Sequence, residues 1–170
     1  MHRIDLATAA PDMLGQVLAA NAAVAAMTSP LDMRALESLL TEAAFAAAMV
    51  DRGDVMTGFL IGFGPGAAYD SPNYRWFGTR FDRFAYVDRV VTVPAAQGRG
   101  VARKLYAAFA DAMPQQERLV CEVNLLPPNP GSDAFHAALG FREVGRGSPS
   151  PGKQVRYLAK PIDAAAGADP

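Results

Sequence analysis

The segment VVTVPAAQGRGVARKLY, Val90 to Tyr106, constrains the chain more than any other. β-Branched residues run into Pro94, a turn holding Gly98 and Gly100 follows, and a helical pattern starts at once at Val101. Two glycines, the small Ala102 and no acidic residue let successive backbone N–H groups point into one concavity. The N-terminus of the helix adds about half a positive charge there. Arg99, Arg103 and Lys104 bring side-chain charge nearby. Such a turn suits an anion, and a pyrophosphate fits it; taken alone it is equally a plain glycine-rich turn at a helix start. A Walker loop needs Lys-Ser or Lys-Thr after the second glycine, where Val101-Ala102 stand. A dinucleotide fingerprint needs a third glycine where Arg103 sits. Both of those nucleotide sites fail on residues.

The rest of the chain frames this turn. Leu14, Val17, Leu18, Val24 and Met27 fall near one helical face, which predicts a helix over 11–27 ended by Pro30. Asp32 is placed to cap a second helix over 33–42. Two apolar runs, 44–50 and 55–63, flank Asp51-Arg52-Gly53-Asp54 and predict a β-hairpin. Residues 64–84 read as a long irregular excursion, dense in Tyr, Trp and Phe, that packs over something. Strands follow over 86–93 and 119–124, with a helix over 101–113 that turns Leu105, Tyr106 and Phe109 inward. Asn129-Pro130 starts another helix and Gly140 closes it. Two short strands, 141–144 and 155–158, lie around the loop GRGSPSPGK, and the tail ending AAAGADP has little to bury.

Gln97 to Ala102 matches [RQ]-x-x-G-x-[GA], and Val90, Thr92 and Pro94 before it fall in the register L-x-V-x-P. Further on, Asn129-x-x-Ser132-x-x-x-His136 runs on to Leu139-Gly140-Phe141, the spacing of N-x-x-[AS]-x-x-x-Y-x-x-x-G-F. Together, in this order and at this separation, these motifs resemble those of the GNAT superfamily of N-acetyltransferases over about 44–158. The resemblance implies an α/β (α+β) fold. Its sheet is central, twisted, mixed and mostly antiparallel, with a splayed pair of strands and flanking helices. It implies one domain over 1–160 with a flexible tail over 161–170. It also implies acetyl-CoA as co-substrate, with no metal.

Carried over by position, the backbone of Val90, Val91 and Thr92 would hold the pantetheine arm, and the N–H of Val90 would polarise the thioester carbonyl. Gln97, Gly98, Arg99, Gly100, Val101, Ala102 and Arg103 would wrap the pyrophosphate, and Asn129 would lie beside the pantetheine. His136 stands where the family places the tyrosine that protonates the leaving thiolate. It either does that work or packs beside the cofactor sulfur. An acceptor amine must also lose a proton. Asp88 shares a strand face with Tyr86 and Val90, and Glu122 shares one with Asn124, so Asp88 and Glu122 are the candidate base and water-holder. The competing role for either is a salt bridge, with Arg89 adjacent. Cys121 faces away from Glu122 and reads as a small buried thiol.

Acceptors in such enzymes lie between the first helices and the loops facing the thioester. Here that region spans Asn21 to Ser29 and the aromatic excursion, with Asn21, Asp70, Tyr74, Trp76 and Asn124 as candidate wall residues. The same stretch could instead be cover for the sheet or a homodimer contact. A small-molecule or peptide amine is the expected acceptor. The net charge of −1 gives no general attraction to nucleic acid or membrane. The uncharged stretch Met13 to Leu31 is too polar and too interrupted to span a bilayer. One cysteine and no recognisable leader make a cytoplasmic protein the expectation. The rival to an enzyme is a GNAT fold that binds acyl-CoA as a sensor without turnover.

Overall fold

In the computed structural model, which describes residues 1–162, the apolar runs beside Asp51 pair as antiparallel strands β2 (Phe45–Val50) and β3 (Met56–Phe63). The Asp51 carboxylate closes the turn by accepting from the N–H groups of Gly53 (2.9 Å) and Val55 (3.1 Å). Strand β4 (Phe84–Thr92) continues the sheet beside β3, and β5 (Arg118–Leu126), β6 (Arg142–Ser150) and β7 (Lys153–Pro161) complete its far side. A short β1 (His2–Asp5) adds to the outer edge of β2. The sheet has seven strands in the order β1-β2-β3-β4-β5-β7-β6. Every pairing is antiparallel except that of β4 with β5. This is the mixed, mostly antiparallel α/β sheet expected.

Helices cover both faces. Helices α1 (Pro11–Ala23), α2 (Met33–Glu42) and α3 (Pro72–Gly78) lie on one side, α4 (Val101–Ala112) and α5 (Pro130–Ala138) on the other. Alternate strand residues divide accordingly. Phe59, Ile61, Phe84 and Tyr86 join the core under α1 to α3, while Leu60, Ala85, Val87 and Cys121 join that under α4. With both faces covered, every residue of β3 is buried, which is why its sequence reads as an apolar run broken only by Thr57, whose hydroxyl donates to Met49 O (2.9 Å). No helix among the described residues is long and apolar enough to cross a membrane.

The structure differs from the sequence reading in several places. Helix α1 ends at Ala23 rather than near Met27, because the buried Asn21 side chain donates to Ser29 O (2.8 Å) and folds the following turn back. The aromatic excursion contains α3, started by Ser71, whose hydroxyl accepts from Tyr74 N–H (3.3 Å), with Pro72 at the first helical position. Strands β6 and β7 run through most of the segment read as a loop and leave only a tight turn at Pro151-Gly152. Finally, β7 runs on to Pro161, past the strand end expected at Leu158, and Ile162 N–H donates to Glu117 O (2.9 Å). The rest of the expected tail lies outside the described residues.

The topology creates one opening. Strands β4 and β5 pair only from Phe84–Arg118 to Tyr86–Val120, and past those residues they splay. Beyond them Val87 and Arg89 to Thr92 keep β3 on one side, with Asp88 bulged out of that register, and none has a strand partner on the other. The bulge puts Val90 on the α4 side and Tyr86 on the α1 side, so the two do not share a face as expected.

Candidate active site

At the open end of β4 the chain enters the glycine turn. Gly98 (φ 73°) and Gly100 (φ 75°) are both left-handed, and a Cβ at either would meet nothing within 4 Å. Backbone angle, not space, therefore calls for glycine here. Gly100 is the N-cap of α4 and offers no side chain to it, and no acidic residue stands in the first turn. The first i to i−4 bond runs from Lys104 N–H to Gly100 O (3.1 Å). The N–H groups of Val101, Ala102 and Arg103 thus have no acceptor within the helix. Gln97, Gly98, Gly100, Val101, Ala102 and Arg103 all line one cavity of about 900 Å³. Arg99 is exposed on the outer side of the turn and does not line it.

The cavity runs from this turn along the open edge of β4, with Val90, Val91 and Thr92 on its wall, and reaches Glu122 and Asn124 on β5. Asn129 borders it and caps α5, its Oδ1 accepting from Ser132 N–H (3.2 Å). Among the described residues no group of three or more His, Cys, Asp or Glu could hold a metal ion.

His136 reaches the cavity from α5, and its two nitrogens are both engaged. Nδ1 lies 2.7 Å from Ser132 O, a carbonyl that can only accept, so Nδ1 carries the hydrogen. Nε2 lies 2.7 Å from the hydroxyl of Tyr106 and, in the neutral ring, accepts from it. Burial pushes the imidazole below its usual pKa, more than its bond to Ser132 O and the charge of Asp133 raise it. His136 is a neutral acceptor in this arrangement, not a charged acid. Tyr106, on α4 beside Cys121, is the hydroxyl that the sequence reading missed. Its place on the inward face with Leu105 and Phe109 made it look like core, although it alone of the three carries a polar tip.

The two candidate carboxylates have different surroundings. Asp88 is fully engaged: it accepts from the Tyr69 hydroxyl and forms an ion pair with Arg89 Nε at 2.5 Å. Arg89 is itself buried and also donates to Asn21 Oδ1 (3.0 Å) and Ser29 Oγ (3.2 Å). The salt bridge weighed for Asp88 is therefore what the structure shows. Glu122 Oε1 accepts from Asn73 Nδ2 (2.9 Å) and the Tyr86 hydroxyl (3.2 Å), while Oε2 is out of solvent contact with no partner among the described residues. Burial, then the charge of Asp88, pushes the Glu122 carboxyl up to about 7 against the pull of those two hydrogen bonds. Tyr69 and Tyr86 are raised above the usual phenol range, chiefly by burial, and remain donors.

Residues 22–141, well over half of the chain, match the acetyltransferase (GNAT) family. The chain belongs to that family. A phosphinothricin N-acetyltransferase of Streptomyces coelicolor is 38% identical over 56 residues, a stretch making up 33% of this chain and 33% of that protein. The ribosomal-protein-S18-alanine N-acetyltransferase from Escherichia coli shares the fold, with a TM-score of 0.66 and 18% identity over 99% of this chain and 97% of that one. So does an aminoglycoside 6′-N-acetyltransferase complexed with coenzyme A, with a TM-score of 0.70 and 13% identity over 95% and 97% of the two chains.

In this GNAT chain the wall facing the carboxylates differs from the one expected. Tyr74 is buried and props the excursion, donating to Gly64 O (2.7 Å) and accepting from Ala67 N–H (2.9 Å). Trp76 stacks on Tyr157 with centroids 4.0 Å apart, and Arg80 lies over its ring. Neither lines the cavity, because α3 packs both aromatic rings against the sheet. Asn21 is fully buried behind the wall, where it holds Ser29 and Arg89. Asn124 does line the cavity and donates to Met27 O (3.3 Å). The wall itself is built by Met27, Ser29, Tyr69, Asp70 and Asn73, with Lys153 at its margin. Tyr69, Asn73 and Lys153 carried no motif; only the fold of the excursion and the β6–β7 hairpin brings them here.

Proposed function

We propose that the chain is an acetyl-CoA-dependent N-acetyltransferase that acts on a primary amine by direct attack. One observation carries this reading: a single cavity joins the glycine turn, the open edge of β4 and Glu122. The residues fit coenzyme A, since free N–H groups and the α4 dipole meet at a concavity without acidic side chains. Bound there, acetyl-CoA supplies an acetyl group activated as a thioester.

The chain's own groups then divide the work. Gln97 to Arg103, without the outward side chain of Arg99, hold the pyrophosphate. Val90, Val91 and Thr92, on the open edge of β4, would take the pantetheine amides, with the N–H of Val90 as the donor to the acyl oxygen. Asn129, its carbonyl oxygen engaged in the cap, offers its Nδ2 to the arm. Glu122 accepts the proton that the attacking nitrogen releases, since a carboxyl near 7 is about half ionised at neutral pH. Asp88, neutralised by Arg89, orients Tyr69 rather than acting as base. Tyr106 takes the place assigned to His136. By turning its hydroxyl hydrogen from His136 Nε2 into the cavity it steadies the departing thiolate, which draws its proton from water. Burial keeps that phenol protonated.

Calorimetric titration with acetyl-CoA, CoA and ATP tests the cofactor assignment, and thiol release with a panel of amines tests turnover. Saturable binding of acetyl-CoA but not ATP, followed by amine-dependent thiol release, is the expected result. Binding without release from any amine would favour the sensor reading. Absence of CoA binding would mean that the glycine turn is structural.

A further inference from the structure

Lys153 is the cation of the cavity that neither the pyrophosphate turn nor the ion pairs account for. It opens β7 and is half-buried at the acceptor end of the cavity. Alternation along β7 puts Lys153 on the same face as Val155 and Tyr157. Tyr157 is the cross-strand partner of Glu122, so the lysine and the carboxylate address the same space. Four residues of strand place their levels about 13 Å apart at the backbone, a gap that a lysine and a glutamate side chain shorten to the length of a small molecule.

Other charges on this wall are already matched. Asp70 pairs with Arg75 and Asp88 with Arg89. Among the described residues Lys153 makes no salt bridge, and Glu122 Oε2 has no hydrogen-bond partner. Two groups of complementary charge, neither of them in a salt bridge, therefore line one cavity. A polycationic acceptor would satisfy neither the lysine nor the electrostatic balance of the wall.

The geometry points to an acceptor that is both amine and anion: a primary amine a few bonds from a carboxylate, with its nitrogen at Glu122 and its carboxylate at Lys153. This rests on the amine-acetylation reading above. Lys153 then has two effects. It fixes the acceptor by charge, and as a nearby like charge it favours the neutral, attacking form of the amine.

Matched probes test it: 4-aminobutyrate against butylamine, and L-methionine against L-methioninamide. Thiol release gives kcat/KM for each, and calorimetry of each probe with the CoA-saturated protein gives binding without turnover. At least a tenfold preference for the anionic member of one pair is expected in both readouts. In Lys153→Met that preference should collapse to about one, and in Lys153→Arg most of it should survive, with circular dichroism reporting the fold. Equal or better use of the uncharged members overturns the proposal. So does failure of all four probes in a protein that binds acetyl-CoA. Loss of acetyl-CoA binding itself would instead remove the enzymatic reading beneath it.

Discussion

Replacing Glu122 by Gln should lower activity and raise stability, each with its own pH dependence. Burial and Asp88 lift this carboxyl from 4.5 to about 7 in the folded chain. A group with a raised folded pKa binds more protons in the native state than in the unfolded one between those two values. Stability linked to it is therefore fully present below about 4.5 and lost as pH rises through about 7. At about 1.4 kcal/mol per pKa unit, the ionised carboxylate costs the folded protein on the order of 3 kcal/mol above pH 8. Gln keeps an oxygen to accept from Asn73 and Tyr86 and carries no charge, so it removes that cost. Thermal unfolding at pH 5 and pH 8.5 measures the effect: the variant should gain several degrees over wild type at pH 8.5 and little at pH 5. Turnover of the wild type with acetyl-CoA and an accepted amine should rise with an apparent pKa of about 7. In Glu122→Gln it should fall by about 10²–10⁴-fold and lose that rising limb. Equal stability shifts at both pH values, or a variant that keeps full activity and the same limb, would refute the assignment of Glu122 as base.

Gly100→Glu should abolish acetyl-CoA binding in calorimetry while circular dichroism stays native. It sets a carboxylate among the α4 N–H groups and strains a φ of 75° by about 1–2 kcal/mol; retained affinity would move the cofactor elsewhere. Tyr106→Phe and His136→Phe should each reduce kcat at least tenfold and change acetyl-CoA affinity by less than threefold. His136 acts only by holding the Tyr106 hydroxyl in place, so the double variant should be little worse than Tyr106→Phe alone. Additive losses in that cycle would separate the two residues. Arg89→Met leaves Asp88 buried without its ion-pair partner and frees Asn21 and Ser29, and should cost about 3–5 kcal/mol in denaturant unfolding. A loss below 1 kcal/mol would mean that the pair does not hold the wall.

Much of the frame was legible because it depends on local chemistry. The hairpin around Asp51, the caps at Asp32 and Asn129 and the inward face of α4 all follow from residues within a turn or two of one another. Helix α3 was legible in principle from Ser71-Pro72, but the aromatic density of the excursion hid the cap. Strand β1 carries almost no buried side chains, so its pattern says little; it exists because β2 has a free edge to pair with.

By itself, the sequence determined the glycine-turn end of the cavity. Positive φ at Gly98 and Gly100, the missing acid in the first turn of α4 and the spacing from Asn129 to Phe141 are local demands on the backbone, written in consecutive residues. Tertiary structure decided the other end. Whether Asp88 is a base or half of an ion pair depends on where Arg89 and Tyr69 pack. Burial holds His136 toward its neutral form, and its tautomer is set because Ser132 O takes one nitrogen and Tyr106, on another helix, takes the second. Glu122 and Lys153 line the same cavity only because β5 and β7 are neighbours in register. Protonation and charge pairing are set by burial and by distances across the sheet, and those belong to the folded chain.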